Sequence, residues 1–108
     1  MEQLVSLADP QKNLVSQLGI IGVEIDKKTV PMLRGLRDPY GIVVTARVTG
    51  SLSDVPLLPG DVIRSFNSQP MTTLERLRSA LKANPPGVPC VLQIQREGRL
   101  LYLPITLE

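Results

Sequence analysis

Residues Gly19-Ile20-Ile21-Gly22-Val23-Glu24-Ile25 are the part of the chain whose types and spacing point most directly to chemistry. Glycine lets the backbone turn tightly and leaves neighbouring N–H groups uncovered. The Val23-Glu24-Ile25 alternation that follows reads as a strand with one buried face. A turn of bare N–H groups running into a strand can hold an anion, such as a peptide's terminal carboxylate, by main chain alone. If the strand lies at a sheet edge, it can pair with the rest of the same peptide. The pattern points to binding rather than to catalysis.

Composition removes most catalytic alternatives. The 108 residues include no histidine and one cysteine, Cys90. Ser-His-Asp and Cys-His arrangements are therefore excluded, as are zinc sites built from His and Cys. A lone cysteine forms no internal disulfide, and Cys90, within the apolar run Val88 to Leu92, reads as a small buried hydrophobe. The Ser and Thr residues have no histidine to activate them, and Lys27 and Lys28 show no obvious pairing with a serine, which leaves a Ser-Lys dyad as the nucleophilic arrangement still open. No catalytic residue, metal site or cofactor is expected. The net charge of +2 is small, and Arg34, Arg37, Arg47, Arg64, Arg76, Arg78, Arg96 and Arg99 are scattered. With only Tyr40, Phe66 and Tyr102 as aromatics, nucleic acid is not an expected partner. No apolar run reaches the roughly 18 residues of a membrane span, and the chain reads as a piece of something longer.

The elements that must position the glycine-bracketed strand follow from local pattern. Hydrophobic residues make up 43% of the chain and aromatics 3%, so the core is built from Leu, Val and Ile. Residues 1–18 read as a lead-in linker with a short helix: Asp9-Pro10 fits an N-cap, and Leu14, Val15 and Leu18 make an apolar stripe. Thr29 to Arg34 suits one or two helical turns, and Asp38-Pro39-Tyr40-Gly41 is a turn. Strands are expected over Gly41 to Val48, Asp61 to Phe66, Pro89 to Gln95 and Arg99 to Leu107, with turns at Pro59-Gly60, Asn67 to Pro70 and Glu97-Gly98. Asp61 is read as structural, capping the turn before its strand. The clearest helix is 73–83. Thr72 and Glu75 form a capping box, Leu74, Leu77 and Leu81 fall on one face, and Asn84-Pro85-Pro86-Gly87 ends it. The whole reads as an α+β, mostly β domain.

The order of these parts resembles a PDZ domain of the bacterial type found in HtrA/Deg-family serine proteases such as DegP. Gly19-Ile20-Ile21-Gly22-Val23 resembles that family's carboxylate-binding loop. Gly50-Ser51, Leu58-Pro59-Gly60-Asp61-Val62-Ile63 and Asn67 to Pro70 are similar to its central signature. Ile20 stands where an aromatic residue is common, Ser68 where glycine is common, and Leu52 to Leu57 replaces the usual middle segment. The resemblance covers residues 19 to 107 and implies a PDZ domain over 19–108. The implied fold is a partly open β-barrel or sandwich of five to six strands with two helices, in the bacterial, permuted strand order.

The resemblance also implies a mechanism. A C-terminal or unfolded peptide would lie antiparallel to strand 23–25, between it and helix 73–83. Its carboxylate would be held at Ile20, Ile21, Gly22 and Val23, and its length along a groove of Glu24, Ile25, Leu74, Arg78 and Leu81. A pocket of Ile21, Val23, Ile25 and Leu81 would favour an aliphatic terminal residue. Leu74, unable to hydrogen-bond, would favour an apolar residue two positions upstream, and Arg78 would reach peptide backbone or an acidic side chain. The expected role is a substrate-recognition or regulatory module beside its own protease domain in a periplasmic or cell-envelope protein. The alternative is a scaffold or secretion-type PDZ domain with no attached protease.

Overall fold

Strands form where β-branched and leucine residues alternate, and they assemble in chain order around one sheet. The computed structural model describes residues 9, 11–26, 30, 40–48 and 55–107. The elements are β1 (Leu14–Val15), β2 (Ile20–Glu24), β3 (Ile42–Arg47), β4 (Val62–Phe66), β5 (Gln69–Pro70), α1 (Leu74–Ala83), β6 (Pro89–Arg96) and β7 (Arg99–Thr106). The sheet has the order β1-β2-β3-β4-β6-β7, with β5 set against β4. Every pairing is antiparallel. The mostly β, α+β class expected from the pattern is the one observed.

Alternation divides the apolar residues between two faces. Ile42 and Val44 of β3 enter the main core with Ile20, Ile63, Leu92, Ile94 and the three leucines of α1, Leu74, Leu77 and Leu81. Val43, between them, joins a second cluster with Val23, Ile25 and Val62, against which Val30 packs. Successive strand side chains point to opposite faces, so the two clusters lie on the two sides of the sheet.

Several local expectations are corrected. The sheet has seven strands rather than five or six, and α1 is the one α-helix among the described residues. The helical turns expected over Thr29 to Arg34 lie outside them except for Val30, as do the first half of the Asp38 to Gly41 turn, the Gly50-Ser51 turn and the start of the middle segment. The lead-in does not continue as a helix. Asp9 Oδ1 accepts from Gln11 N (2.8 Å) and Asn13 N donates to Asp9 O (2.7 Å), closing a single turn before β1 begins. Asp9 thus caps as the Asp-Pro pair suggested, but the apolar stripe is spent differently. Val15 and Leu18 are fully buried in the main core, reached through a strand and a turn that ends at Gly19 (φ 64°). The helix cap also moves by one residue: Thr73, not Thr72, is the N-cap, accepting from Arg76 N at 3.0 Å. Glu75 is then too early in the helix to complete a capping box.

Asp61 is structural, as its position after Pro59-Gly60 suggested, and the structure adds its partner. Its side chain is 2% exposed and is paired with Arg96, which is 29% exposed. Arg96 Nε donates to Oδ1 (2.9 Å), Arg96 Nη2 donates to Oδ2 (2.7 Å), and Leu58 N donates to Oδ2 (2.8 Å). The hydrogen bonding that Arg96 donates to Asp61, with that carboxylate's negative charge, holds the Arg96 guanidinium above its ordinary range. The pair fixes the 55–61 segment, which sends Val55 and Leu57 into the core, against the start of β4.

Two outcomes follow for stability. Arg96→Ala strands a buried carboxylate without its charge partner and is expected to lower the unfolding free energy by about 3 kcal/mol in urea titration. Ser68, held at φ 70° beside Asn67 at 48° in the turn from β4 to β5, occupies a conformation that suits glycine. Ser68→Gly is expected to raise stability by about 0.5–1 kcal/mol in the same titration.

Candidate functional site

The site is built on the outer edge of β2. One edge of this strand is covered by β3, from Ile20↔Arg47 to Glu24↔Ile42, with a bulge between Ile21 and Gly22. The other edge faces α1. Which side chains face the helix is set by alternation. Gly22 lies under it: a methyl added there would sit 2.6 Å from Ile42 Cγ2 and 3.5 Å from Leu74 Cδ2. Glycine at 22 is therefore required for close approach of strand and helix, not for an unusual backbone angle.

Glu24 lies on the same side and closes the gap. Its Oε1 accepts from Leu74 N, the first helical amide, at 2.7 Å. A carboxylate at a helix N-terminus meets both an unsatisfied donor and the positive end of the helix dipole. Glu24 therefore ties the end of β2 to the start of α1 and fixes their separation there. From sequence it was placed in the groove as a strand residue; its partner fifty positions away leaves no local signal.

The gap between β2 and α1 contains the lead-in. β1 pairs with β2 in the register Leu14↔Ile21 and Val15↔Ile20. Gly22 N donates to Asn13 O (2.9 Å), and Asn13 Nδ2 donates to Gly22 O (2.8 Å). Both outer-edge groups of Gly22 are thus satisfied by one asparagine, whose Oδ1 accepts from Asp9 N at 2.9 Å. From the opposite wall, Arg78 donates from Nε (3.2 Å) and Nη2 (2.8 Å) to Leu14 O, and from Nη2 to Lys12 O. Lys12 to Val15, the end of the Asp9–Asn13 turn and the start of β1, is held by β2 on one side and by an arginine of α1 on the other.

Against the expected site, the structure brings together Ile20, Gly22, Glu24, Leu74, Arg78 and Leu81. Ile20, Leu74 and Leu81 share the main core with Val15 and Leu18. Val23 and Ile25 do not belong with them: both pack on the far face of the sheet with Val43 and Val62. The pocket read as Ile21, Val23, Ile25 and Leu81 is therefore out of phase by one residue, because positions 20, 22 and 24 face the helix. Ile21 is half-buried, and its carbonyl accepts from the Thr45 hydroxyl at 3.1 Å. Arg78 is bonded to the lead-in carbonyls rather than left to meet a peptide. Asn13 was missed altogether, lying unremarked in a lead-in read as a linker with a short helix.

Elsewhere, Cys90 is buried, its Sγ 3.6 Å from Ile105 O, and burial pushes its thiol up, away from the thiolate form. No helix among the described residues is long and apolar enough to cross a membrane.

With the geometry in hand, comparison with known proteins is informative. The chain matches the PDZ domain family over residues 17–107. A probable periplasmic serine endoprotease, DegP-like, of Chlamydia trachomatis serovar D is 34% identical over 90 residues, which are 82% of this chain and 18% of that protein. The periplasmic pH-dependent serine endoprotease DegQ of Escherichia coli K12 is 29% identical over 108 residues, 99% of this chain and 23% of that protein. The chain thus spans only 18% to 23% of the length of these relatives. Among solved structures, the HtrA-type protease AlgW with a decapeptide is similar at TM-score 0.69 and 25% identity, covering 83% of this chain and 28% of that one. The HtrA3 PDZ domain bound to a phage-derived ligand (FGRWV) is similar at TM-score 0.69 and 23% identity, covering 84% and 83% respectively.

Two substitutions test this geometry by thermal and chemical unfolding. Gly22→Ala drives a methyl into Ile42, a buried β-branched side chain with little rotamer freedom, and is expected to destabilise by about 1–3 kcal/mol. Glu24→Ala removes the acceptor at the start of α1 and is expected to cost about 1 kcal/mol.

Proposed function

The chain belongs to the PDZ domain family, and from that premise we propose that it is a non-catalytic peptide-binding module of a larger, periplasmic HtrA-like serine protease. In this reading an extended peptide adds antiparallel to the outer edge of β2, between β2 and α1. Its terminal carboxylate lies at the Ile20 to Val23 loop and takes the Gly22 amide. The protease, its location and its use of this domain for substrate recognition are inferred from the relatives, periplasmic serine endoproteases, of which this chain is similar to one part.

The observation that carries the reading is the behaviour of the β2 edge. It pairs with the antiparallel two-residue β1, and beside that pairing Gly22 N–H donates to the Asn13 carbonyl and Gly22 C=O accepts from the Asn13 side-chain amide, with an α-helix forming the opposite wall. That is the arrangement strand addition requires: main-chain bonds for affinity and a side-chain pocket for selectivity. AlgW, similar at 25% identity, was solved with a decapeptide. The selectivity pocket is reassigned to the helix-facing side, where Ile20, Leu74, Leu77 and Leu81 share an aliphatic cluster. An aliphatic terminal residue remains the expected preference. Arg78 leaves the set of ligand contacts, since its guanidinium is bonded to Lys12 and Leu14 carbonyls.

The test is fluorescence polarisation with peptides ending in Val, Leu, Ile or Ala, each as free acid and as C-terminal amide. Free acids are expected to bind with Kd on the order of micromolar, and amidation is expected to weaken them about tenfold or more. Equal binding of acid and amide would overturn the carboxylate mechanism.

A further inference from the structure

We propose that the lead-in segment Lys12 to Val15 is an intramolecular occupant of the peptide-binding edge, latched by Asn13 and Arg78, so that a peptide enters only by strand exchange. The proposal rests on the peptide-binding reading and adds a competitor to it.

Polarity is the first argument. β1 runs antiparallel to β2, its residue numbers rising as those of β2 fall, so Val15 lies towards the Gly19 turn and Asn13 towards Glu24. That is the direction assigned to an incoming peptide, whose terminal end would lie towards the same turn. The groups engaged are the second argument. Gly22 N–H, the amide the carboxylate would take, donates to Asn13 O, and Gly22 C=O accepts from Asn13 Nδ2. One donor hydrogen cannot make a full bond to both acceptors at good geometry, so the two occupants exclude each other.

The latch on the helix side is the third. Arg78 places its guanidinium on alternate carbonyls, Lys12 and Leu14, while the intervening Asn13 carbonyl turns to β2. Lys12 and Asn13 lie in the turn ahead of β1, and the carbonyls of Lys12, Asn13 and Leu14 nonetheless reach α1, β2 and α1 in succession. Aliphatic side chains come with it: Val15 and Leu18 are fully buried in the cluster that holds Ile20, Leu77 and Leu81. The lead-in thus supplies main-chain bonds and aliphatic bulk, the components a peptide would bring.

The occupant is nevertheless short. β1 is two residues long, and Lys12 is exposed. Few bonds need to break for the segment to peel away from Gly22 while Leu18 stays in the core. The protein then exists as a closed and an open population, and a peptide's apparent affinity is its intrinsic affinity scaled by the open fraction.

The experiment is calorimetric titration of a free-acid, Val-ended peptide into the full 108-residue chain, Asn13→Ala and Arg78→Ala, with circular dichroism confirming each fold. Nuclear Overhauser contacts between the Asn13 side-chain amide and Gly22 are followed in the native chain. Both substitutions raise the open fraction, and peptide affinity is expected to tighten about threefold to tenfold. Peptide saturation is expected to remove the Asn13–Gly22 contacts. Peptide binding to the native chain with unchanged or weaker affinity in Asn13→Ala, or with those contacts intact at saturation, overturns the exchange while leaving the peptide-binding reading standing. Where the two variants disagree, Asn13→Ala decides, because residue 78 also borders the incoming chain. Absence of binding in all three proteins overturns both.

Discussion

Every N–H and C=O along the outer edge of β2 has to find a partner, and the groove is organised by that demand. An edge strand left open invites pairing with any extended chain, and a half-buried one carries the added penalty of unsatisfied polar groups. Here the edge is neither blunted by proline nor masked by a bulk loop. It faces a helix across a gap one strand wide. Glu24 fixes the gap at one end by taking the first amide of α1, and Gly22 allows it to be narrow by presenting no Cβ to Ile42 and Leu74. Between the Gly22 edge and Arg78 lies one segment, the lead-in, whose Val15 shares the aliphatic core with Ile20, Leu77 and Leu81. Whatever lies there is held first through its backbone.

Much of the fold was legible because it is local. Alternating apolar residues gave the strands of β3, β4, β6 and β7 to within a residue or two of their ends, and three leucines at helical spacing gave α1. The turn at Glu97-Gly98, with both residues at positive φ (52° and 78°), was legible from a charged residue followed by glycine between two apolar runs. What misled was also local. Asp9-Pro10 followed by Leu14, Val15 and Leu18 fits a helix, and the chain begins one. Yet the open edge of β2 offers this segment hydrogen bonds and burial together, so tertiary pairing overrode a marginal helical preference. Thr72 and Thr73 differ as caps only through where the chain enters the helix, which no pattern in the sequence specifies.

The candidate site was legible as a location but not as an arrangement. The glycine-bracketed loop, the strand after it and the leucine helix do meet. The error was phase: a strand's two faces exchange with a slip of a single residue, and Val23 and Ile25 read as pocket walls when they belong to the far cluster. Gly22 marks the correct phase, because an invisible side chain is what a strand needs where a helix crosses closely. Glu24 and Arg78 carried the opposite ambiguity. Each reads as a solvated charge from sequence, and each is instead bonded to main chain contributed by a distant segment, Leu74 for one and Lys12 and Leu14 for the other. Contacts of fifty to sixty-six positions leave no periodic trace.

A groove read mainly through backbone discriminates weakly among sequences, so the ends of a ligand matter more than its middle. The lead-in shows how far backbone alone goes. It satisfies Gly22 with a neutral carbonyl and a neutral amide, and its tether keeps it at an effective concentration that a free peptide in solution does not reach. A peptide that displaces it must offer something the lead-in lacks. What a C-terminal end has and a chain middle lacks is a charged carboxylate on the main chain itself. Hydrogen bonds to an ionised acceptor are roughly twice as strong as those to a neutral one, and the N–H groups of the Ile20 to Val23 loop are where that difference would be felt. An internal segment of an unfolded chain brings only the neutral bonds the lead-in already makes, without the tether. Under the proposed exchange, a competing internal strand would sharpen selectivity for termini over middles, through the contrast between two occupants rather than through any added contact.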